Sequence, residues 1–263
     1  MTTNTLGHLV AELTSGDIRI VDLTRTLEPD TPTLKLPEEF GWGKSWPFNI
    51  EEISRYDDRG PGWYWNNFSC GEHTGTHFDA PVHWITGKDY ENHTTDTLPI
   101  NKFVARAYVI DAVAEVSANP DFLITIDFIK AWEDQHEQIT PGAWFLYRTD
   151  WSKKSSNEEY LNMGDDGAHT PGWEPDALRF LAEERDIIGV GVETVGTDAG
   201  QGGIQEPMFP CHNIMHGAYK CGLASLCNLD QLPPVGAVII APPLKIKNGS
   251  GSPIRILALI PGK

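Results

Sequence analysis

Gly71-Glu-His-Thr-Gly-Thr-His-Phe-Asp-Ala-Pro-Val-His-Trp84 packs three histidines and one aspartate into a short segment of a chain that holds 9 His among 263 residues. Borderline divalent metals take imidazole nitrogen and carboxylate oxygen, and two histidines with one carboxylate leave coordination positions open for water and substrate. His77 and Asp79 are two residues apart, so on an extended backbone they face one side. Gly75 permits a tight reversal that returns His73 toward the same point. Pro81 stiffens the exit and restricts Ala80 to extended geometry. The spacing predicts a metal centre on His73, His77 and Asp79. His83 is open to two readings, a fourth ligand or a free imidazole that exchanges protons. We read it as the proton carrier, because a neutral histidine beside a cation suits a general base.

The surroundings of this segment predict an α/β fold. Trp63-Tyr-Trp-Asn-Asn-Phe-Ser-Cys70 is rich in β-formers and leads straight into the histidines. Strands are also expected at 17–22, 103–110, 144–147, 187–192, 237–241 and 254–259. Helical patterns cover 5–14, 125–138 (opened by a capping Thr125), 174–185 (with Pro175 in its first turn) and 212–220. The polar stretch 152–168 reads as a surface loop. The Pro-rich stretch from Glu28 to Pro47, with Phe40, Trp42, Trp46 and Phe48, reads as a binding element or lid. No repeat or linker interrupts the chain, so one α/β domain with mixed sheets over 1–263 is expected.

Composition narrows the function. Against 37 Asp+Glu stand 20 Lys+Arg, a formal net charge of −17 that repels phosphate backbones and anionic lipid, so no nucleic-acid or membrane partner is expected. Cys70, Cys211, Cys221 and Cys227 include no Cys-x-x-Cys pair and read as reduced, mostly buried thiols. The opening MTTNTLGHLVAEL lacks the charged and long apolar regions of a secretory signal, and no apolar run reaches bilayer length, so the expected location is cytoplasmic. No Gly-x-Ser-x-Gly elbow, phosphate loop or dinucleotide fingerprint occurs, which argues against a serine hydrolase or a nucleotide enzyme.

The string His73-Thr-Gly-Thr-His77-Phe-Asp79-Ala-Pro81-Val-His83 resembles the His-x-Gly-Thr-His-x-Asp-x-Pro-x-His signature of the cyclase-like metal-dependent hydrolases, a family that includes bacterial kynurenine formamidases and isatin hydrolases. Val21-Asp-Leu-Thr-Arg-Thr-Leu27, Asn228-Leu-Asp-Gln-Leu-Pro233 and Ala241-Pro-Pro-Leu-Lys-Ile246 are similar to other segments of that family. The resemblance implies His73, His77 and Asp79 as metal ligands, His83 as acid–base catalyst, a swivelling β/β/α fold and a homodimer. Two-metal members carry a Glu twelve residues after the His of a Pro-x-His segment. Here Pro210-Cys211-His212 is followed at that distance by Ala224, which cannot ligate. One divalent ion is therefore expected, manganese ahead of zinc, in the isatin hydrolase branch.

His212 is then free to hydrogen-bond substrate, and Ser225 to donate to substrate or relay a proton through water. Trp63, Trp65 and Trp84 flank the ligands, and of these Trp63 and Trp84 are taken as stacking walls for a small aromatic amide. Glu193 and Asp198 are left unassigned. The expected reaction is metal-dependent hydrolysis of a cyclic amide, isatin to isatinate. Its alternatives are an arylformamidase acting on N-formylkynurenine and a non-catalytic metal- or ligand-binding protein.

Overall fold

A computed structural model describes residues 4–34 and 43–262, so Phe40 and Trp42 of the expected aromatic loop lie outside the described residues. The centre of the fold is a parallel ribbon of four strands, Val104–Asp111, Trp144–Arg148, Gly189–Val192 and Cys221–Ala224, hydrogen-bonded in that order. Their sequences are nearly continuous apolar runs, as parallel strands covered on both faces require. Alternation then splits the side chains. Tyr108, Ile110, Phe145, Tyr147, Val190 and Val192 enter one core, and Ala107, Val109, Trp144 and Leu146 enter another.

Helices cover the first core. Ile126–Gln135 begins where the Thr125 hydroxyl accepts from Phe128 N at 3.1 Å, and it contributes the buried Ile129 and Trp132. Pro175–Arg179 continues into a wide π-type turn, Phe180–Glu184, rather than the uninterrupted α-helix expected over 174–185. The wider turn buries three consecutive residues, Phe180, Leu181 and Ala182, which a 3.6-residue stripe would not. Arg185 on Glu133, at 2.7 and 2.8 Å, ties the two segments together.

The sheet itself covers the second core. Antiparallel strands Ala237–Ile240, Leu257–Pro261 and Ile18–Asp22 extend one edge, and His77–Asp79 and Gly251–Pro253 the other, giving nine strands among the described residues. Val21, Ala258 and Ile260 from one end share a core with Phe78 from the other, so the sheet curls over its own face. The mixed α/β architecture expected from the sequence is thus present.

Differences are local. Residues 152–168, expected as a loop, hold a helix, Asn157–Leu161, capped by Ser156 and anchored by buried Tyr160. A short hairpin, Met163–Gly164 with Gly167–Ala168, follows it. The strand expected over 254–259 begins later, as Leu257–Pro261 near one edge of the sheet, and a separate strand, Gly251–Pro253, precedes it and pairs beside the histidines at the opposite edge. Asn49–Arg55, not foreseen, pairs with Tyr64–Ser69 as an exposed hairpin. All four cysteines are free, Cys211 and Cys221 buried and the other two partly so.

The aromatic packing of the helix-covered core sets a stability expectation. Phe145 is fully buried against Trp132 and Trp173, so Phe145→Ala should cost about 3–5 kcal/mol in denaturant unfolding. A loss below 1 kcal/mol would place the stabilising core elsewhere.

Candidate metal centre and active site

His77–Asp79 lies between Cys221–Ala224 and Gly251–Pro253, with Asp79 paired to Gly222 on one side and Gly251 on the other. Phe78 points away, edge-on to Phe103 and Trp144, and this alternation delivers His77 and Asp79 to the opposite face. Both ladder partners of Asp79 are glycine because there is no room for more. A Cβ at 222 would stand 2.8 Å from Asp79 Oδ2, and one at 251 would stand 2.5 Å from His73 Cε1. Gly75, at φ +62°, makes the reversal that brings His73 back over the strand.

Hydrogen bonds fix which nitrogen of each imidazole is bare. His77 Nδ1 donates to the Gly75 carbonyl at 2.8 Å, so its Nε2, 3.4 Å from Asp79 Oδ1, presents a lone pair. The Ser250 hydroxyl donates to Glu72 Oε2 at 2.5 Å, and its oxygen accepts from His73 Nε2 at 3.0 Å. With the ring hydrogen on Nε2, the lone pair of His73 is on Nδ1, 2.7 Å from the same Asp79 oxygen. Two imidazole lone pairs thus face one carboxylate oxygen on a side chain that is 1% exposed. Such an arrangement is repulsive until a cation sits among the three, so the donor set fits a divalent metal.

His83 follows in a single turn, Pro81–His83, and stacks on His73 with ring centroids 3.8 Å apart. Neither of its ring nitrogens has a hydrogen-bond partner among the described residues. Burial pushes its pKa down to about 2 against the pull of Asp79, with His73, His212 and His216 adding to the fall. The ring is therefore neutral, with a lone pair to offer.

A second wall comes from Cys211–His216, a wide π-type helix where 212–220 was expected to be helical. Asp198 Oδ1 accepts from Cys211 N at 2.6 Å, and its Oδ2 accepts from His212 Nδ1. Burial would lower the pKa of His212, but the hydrogen bond and charge of Asp198, with the charge of Asp79, raise it above the ordinary histidine value. His212 is therefore a donor. His216 Nδ1 donates to the Lys220 carbonyl at 3.0 Å, and its Nε2 is buried with no partner. Burial brings its pKa down to about 4. Ligand atoms of His73, Asp79 and His83 lie within 4.8 Å of one another, as do those of Asp79, His212 and His216, so Asp79 is the corner shared by both triads.

The structure thus brings together His73, His77, Asp79, His83 and His212, and it adds Trp84, whose ring lies 5.1 Å from His212 and 5.8 Å from Phe209. Ser225 is 2% exposed, immediately after Ala224, the ladder partner of His77. Its carbonyl accepts from Thr76, and its hydroxyl lies 3.0 Å from that of Tyr160. Trp63 stands apart: it is 53% exposed on the hairpin, against Gly60, and stacks on none of the cluster's rings among the described residues. Glu193 is a buried fastener, accepting from Thr149 and Ser152.

The sequence reading missed His216, Glu72 and Ser250, and gave Asp198 no role. His216 had a signal, because His212-x-x-x-His216 on a predicted helix puts both rings on one face. Glu72 and Ser250 meet across 178 positions, and no local spacing announces that contact.

Comparison with known proteins agrees with this geometry. A family model described as Putative cyclase matches residues 21–199. The chain is 51% identical to an isatin hydrolase of Roseibium aggregatum over 258 residues, 97% of each protein. A crystal structure of an isatin hydrolase bound to the product analogue thioisatinate superposes with a TM-score of 0.96 at 49% identity, covering 99% of both chains. A kynurenine formamidase of Salinibacter ruber is 28% identical over 90% of this chain and 95% of its own. The chain belongs to the cyclase family of metal-dependent hydrolases. Its similarity to the isatin hydrolases runs over nearly the whole of both chains, at 51% identity in the one case and 49% in the other.

Two outcomes follow from this geometry. Gly251→Ala should press on the His73 ring and weaken metal binding by about tenfold or more, which titration with the metal will read; unchanged affinity would show that the ring is not held there. Between about pH 6.5, where an unfolded histidine titrates, and about pH 4, the folded chain keeps His216 and His83 neutral while the unfolded chain protonates them, and burial lowers His77 in the same direction. Acid in that window therefore favours unfolding. The melting temperature of chelator-treated protein should fall as pH drops through it, and a flat profile would contradict the buried-neutral assignment.

Proposed function

We propose that the chain hydrolyses the lactam of isatin to isatinate, with one divalent cation, manganese ahead of zinc, held by His73, His77 and Asp79. The observation that carries this is the pair of imidazole lone pairs aimed at one buried carboxylate oxygen, beside a neutral, unengaged His83. When bound, the cation supplies a Lewis acid that polarises a carbonyl and lowers the pKa of water. His83 accepts a proton from the attacking water as its oxygen adds to the amide carbonyl carbon. It then delivers that proton to the ring nitrogen as the C–N bond breaks. His212, a donor anchored by Asp198, steadies a carbonyl oxygen, and Trp84 offers a flat apolar wall to a bicyclic ring.

A single ion is favoured over two by Ala224, which stands opposite His77 and offers no ligand. Cleavage of N-formylkynurenine is the competing arylformamidase reading. Loss of the carboxylate that two-metal members have at that position weighs against it.

We further propose a homodimer in the cytoplasm. The hairpin Asn49–Arg55 with Tyr64–Ser69 exposes Ile50, Trp65 and Phe68, an apolar surface suited to a second copy. The strongly acidic composition and free thiols suit a reducing interior. No helix among the described residues is long and apolar enough to cross a membrane.

His83→Ala should keep the metal, read by elemental analysis, and lose about 10²–10⁴-fold in kcat on isatin. Asp79→Ala should lose both metal and turnover. Normal turnover by the His83 variant would remove its assigned role, and faster cleavage of N-formylkynurenine than of isatin by the wild type would overturn the substrate.

A further inference from the structure

We infer that His216 Nε2 is the substrate-recognition atom that accepts the lactam N–H, so that this site selects cyclic amides with an unsubstituted ring nitrogen. This rests on the isatin assignment above and adds a contact to it.

The tautomer of His216 follows from one bond. A backbone carbonyl only accepts, so the 3.0 Å contact with Lys220 O places the ring hydrogen on Nδ1 and leaves Nε2 as a bare acceptor. Lys220 is itself 8% exposed and held by Asp186, so the carbonyl that orients the ring belongs to a fixed segment. His216 is 1% exposed, and its Nε2 has no partner among the described residues. Buried acceptors in folded proteins are almost always satisfied, and one that is not points to a ligand. The direction is also set. Nε2 or Nδ1 of His216 shares a 4.8 Å triad with Asp79 and His212, and with Nδ1 committed to Lys220, Nε2 is the atom facing inward.

The polar groups of the cluster match the ring atom by atom. Isatin carries two carbonyl oxygens, both acceptors, and one N–H, its only donor. His212 is held through its Nδ1 by Asp198. Trp84 Nε1, buried with no partner, is a donor. His73 Nδ1 and His77 Nε2 are turned toward Asp79. His83 is needed for the moving proton. Among the histidine nitrogens of the cluster, His216 Nε2 is the one buried without a partner among the described residues, and as a bare acceptor it matches the N–H. As the ring opens, that nitrogen becomes an aniline that still donates, so the contact persists into product and holds the leaving nitrogen beside His83, whose ring centroid is 5.9 Å from that of His216.

The test uses metal-loaded wild type, His216→Leu and His216→Gln on isatin and on its N-methyl derivative, with metal content and melting temperature measured for each. Wild type should prefer isatin over N-methylisatin in kcat/KM by about tenfold to a hundredfold, the effect of one buried hydrogen bond and a methyl group set against an acceptor. His216→Leu should collapse that ratio by at least about tenfold while the metal stays bound, and His216→Gln, whose amide oxygen can accept, should restore part of it. An equal fall on both substrates, or no preference in wild type, overturns the inference. So does loss of the metal from both folded variants, which would make His216 a ligand. If wild type cleaves neither ring but cleaves another amide, the isatin assignment has failed and this contact falls with it; if wild type cleaves isatin and the ratio does not move, this contact alone has failed.

Discussion

One carboxylate oxygen, Asp79 Oδ1, sits buried with two histidine lone pairs aimed at it, and the surrounding structure exists to hold that unfavourable convergence in place. Repulsion among three acceptors would turn the rings away if they were free. They are not free. Gly75 O clamps His77, the Ser250–Glu72 pair clamps His73, and glycines 222 and 251 let the neighbouring strands close around the carboxylate. The folding free energy of the curled sheet therefore offsets the strain of a preorganised cation site, and metal binding returns it.

The same preorganisation separates the roles of five histidines that differ little in sequence. Burial keeps His77, His83 and His216 neutral, and a hydrogen-bonded carboxylate lets His212 hold a proton in the same cavity. The environment sets these differences, as is common where one site needs both acceptors and donors. Proximity to the shared Asp79 makes the cluster a single electrostatic unit, so a change at one ring is felt at the others.

Much of this was legible in the sequence because it was local. The ligand strand, the glycine hinge and the apolar runs at 104–111 and 144–147 all declare themselves within a few residues, through period-2 alternation and turn chemistry. Thr125 announced its helix by the same local logic. What escaped was long-range or depended on register. Ser250 meets His73 only because Gly251–Pro253 pairs with His77–Asp79, a pairing between residues 172 to 176 positions apart in a sheet whose order no pattern dictates. The wide turns at Phe180–Glu184 and Cys211–His216 also left no mark, since a π-type turn uses the same residues as an α-helix and is chosen by what it must bury. The exposed hairpin looked like half of itself, because Asn49–Arg55 adjoins a Pro-rich stretch that masks its alternation.

The most direct test of the convergence on Asp79 is a calorimetric melt of chelator-treated protein titrated with manganese. If three acceptors converge on one point, the melting temperature should climb by several degrees and level off at one equivalent of metal per chain, because the ion binds the folded state alone. No rise, or a rise that continues to two equivalents, would contradict the account.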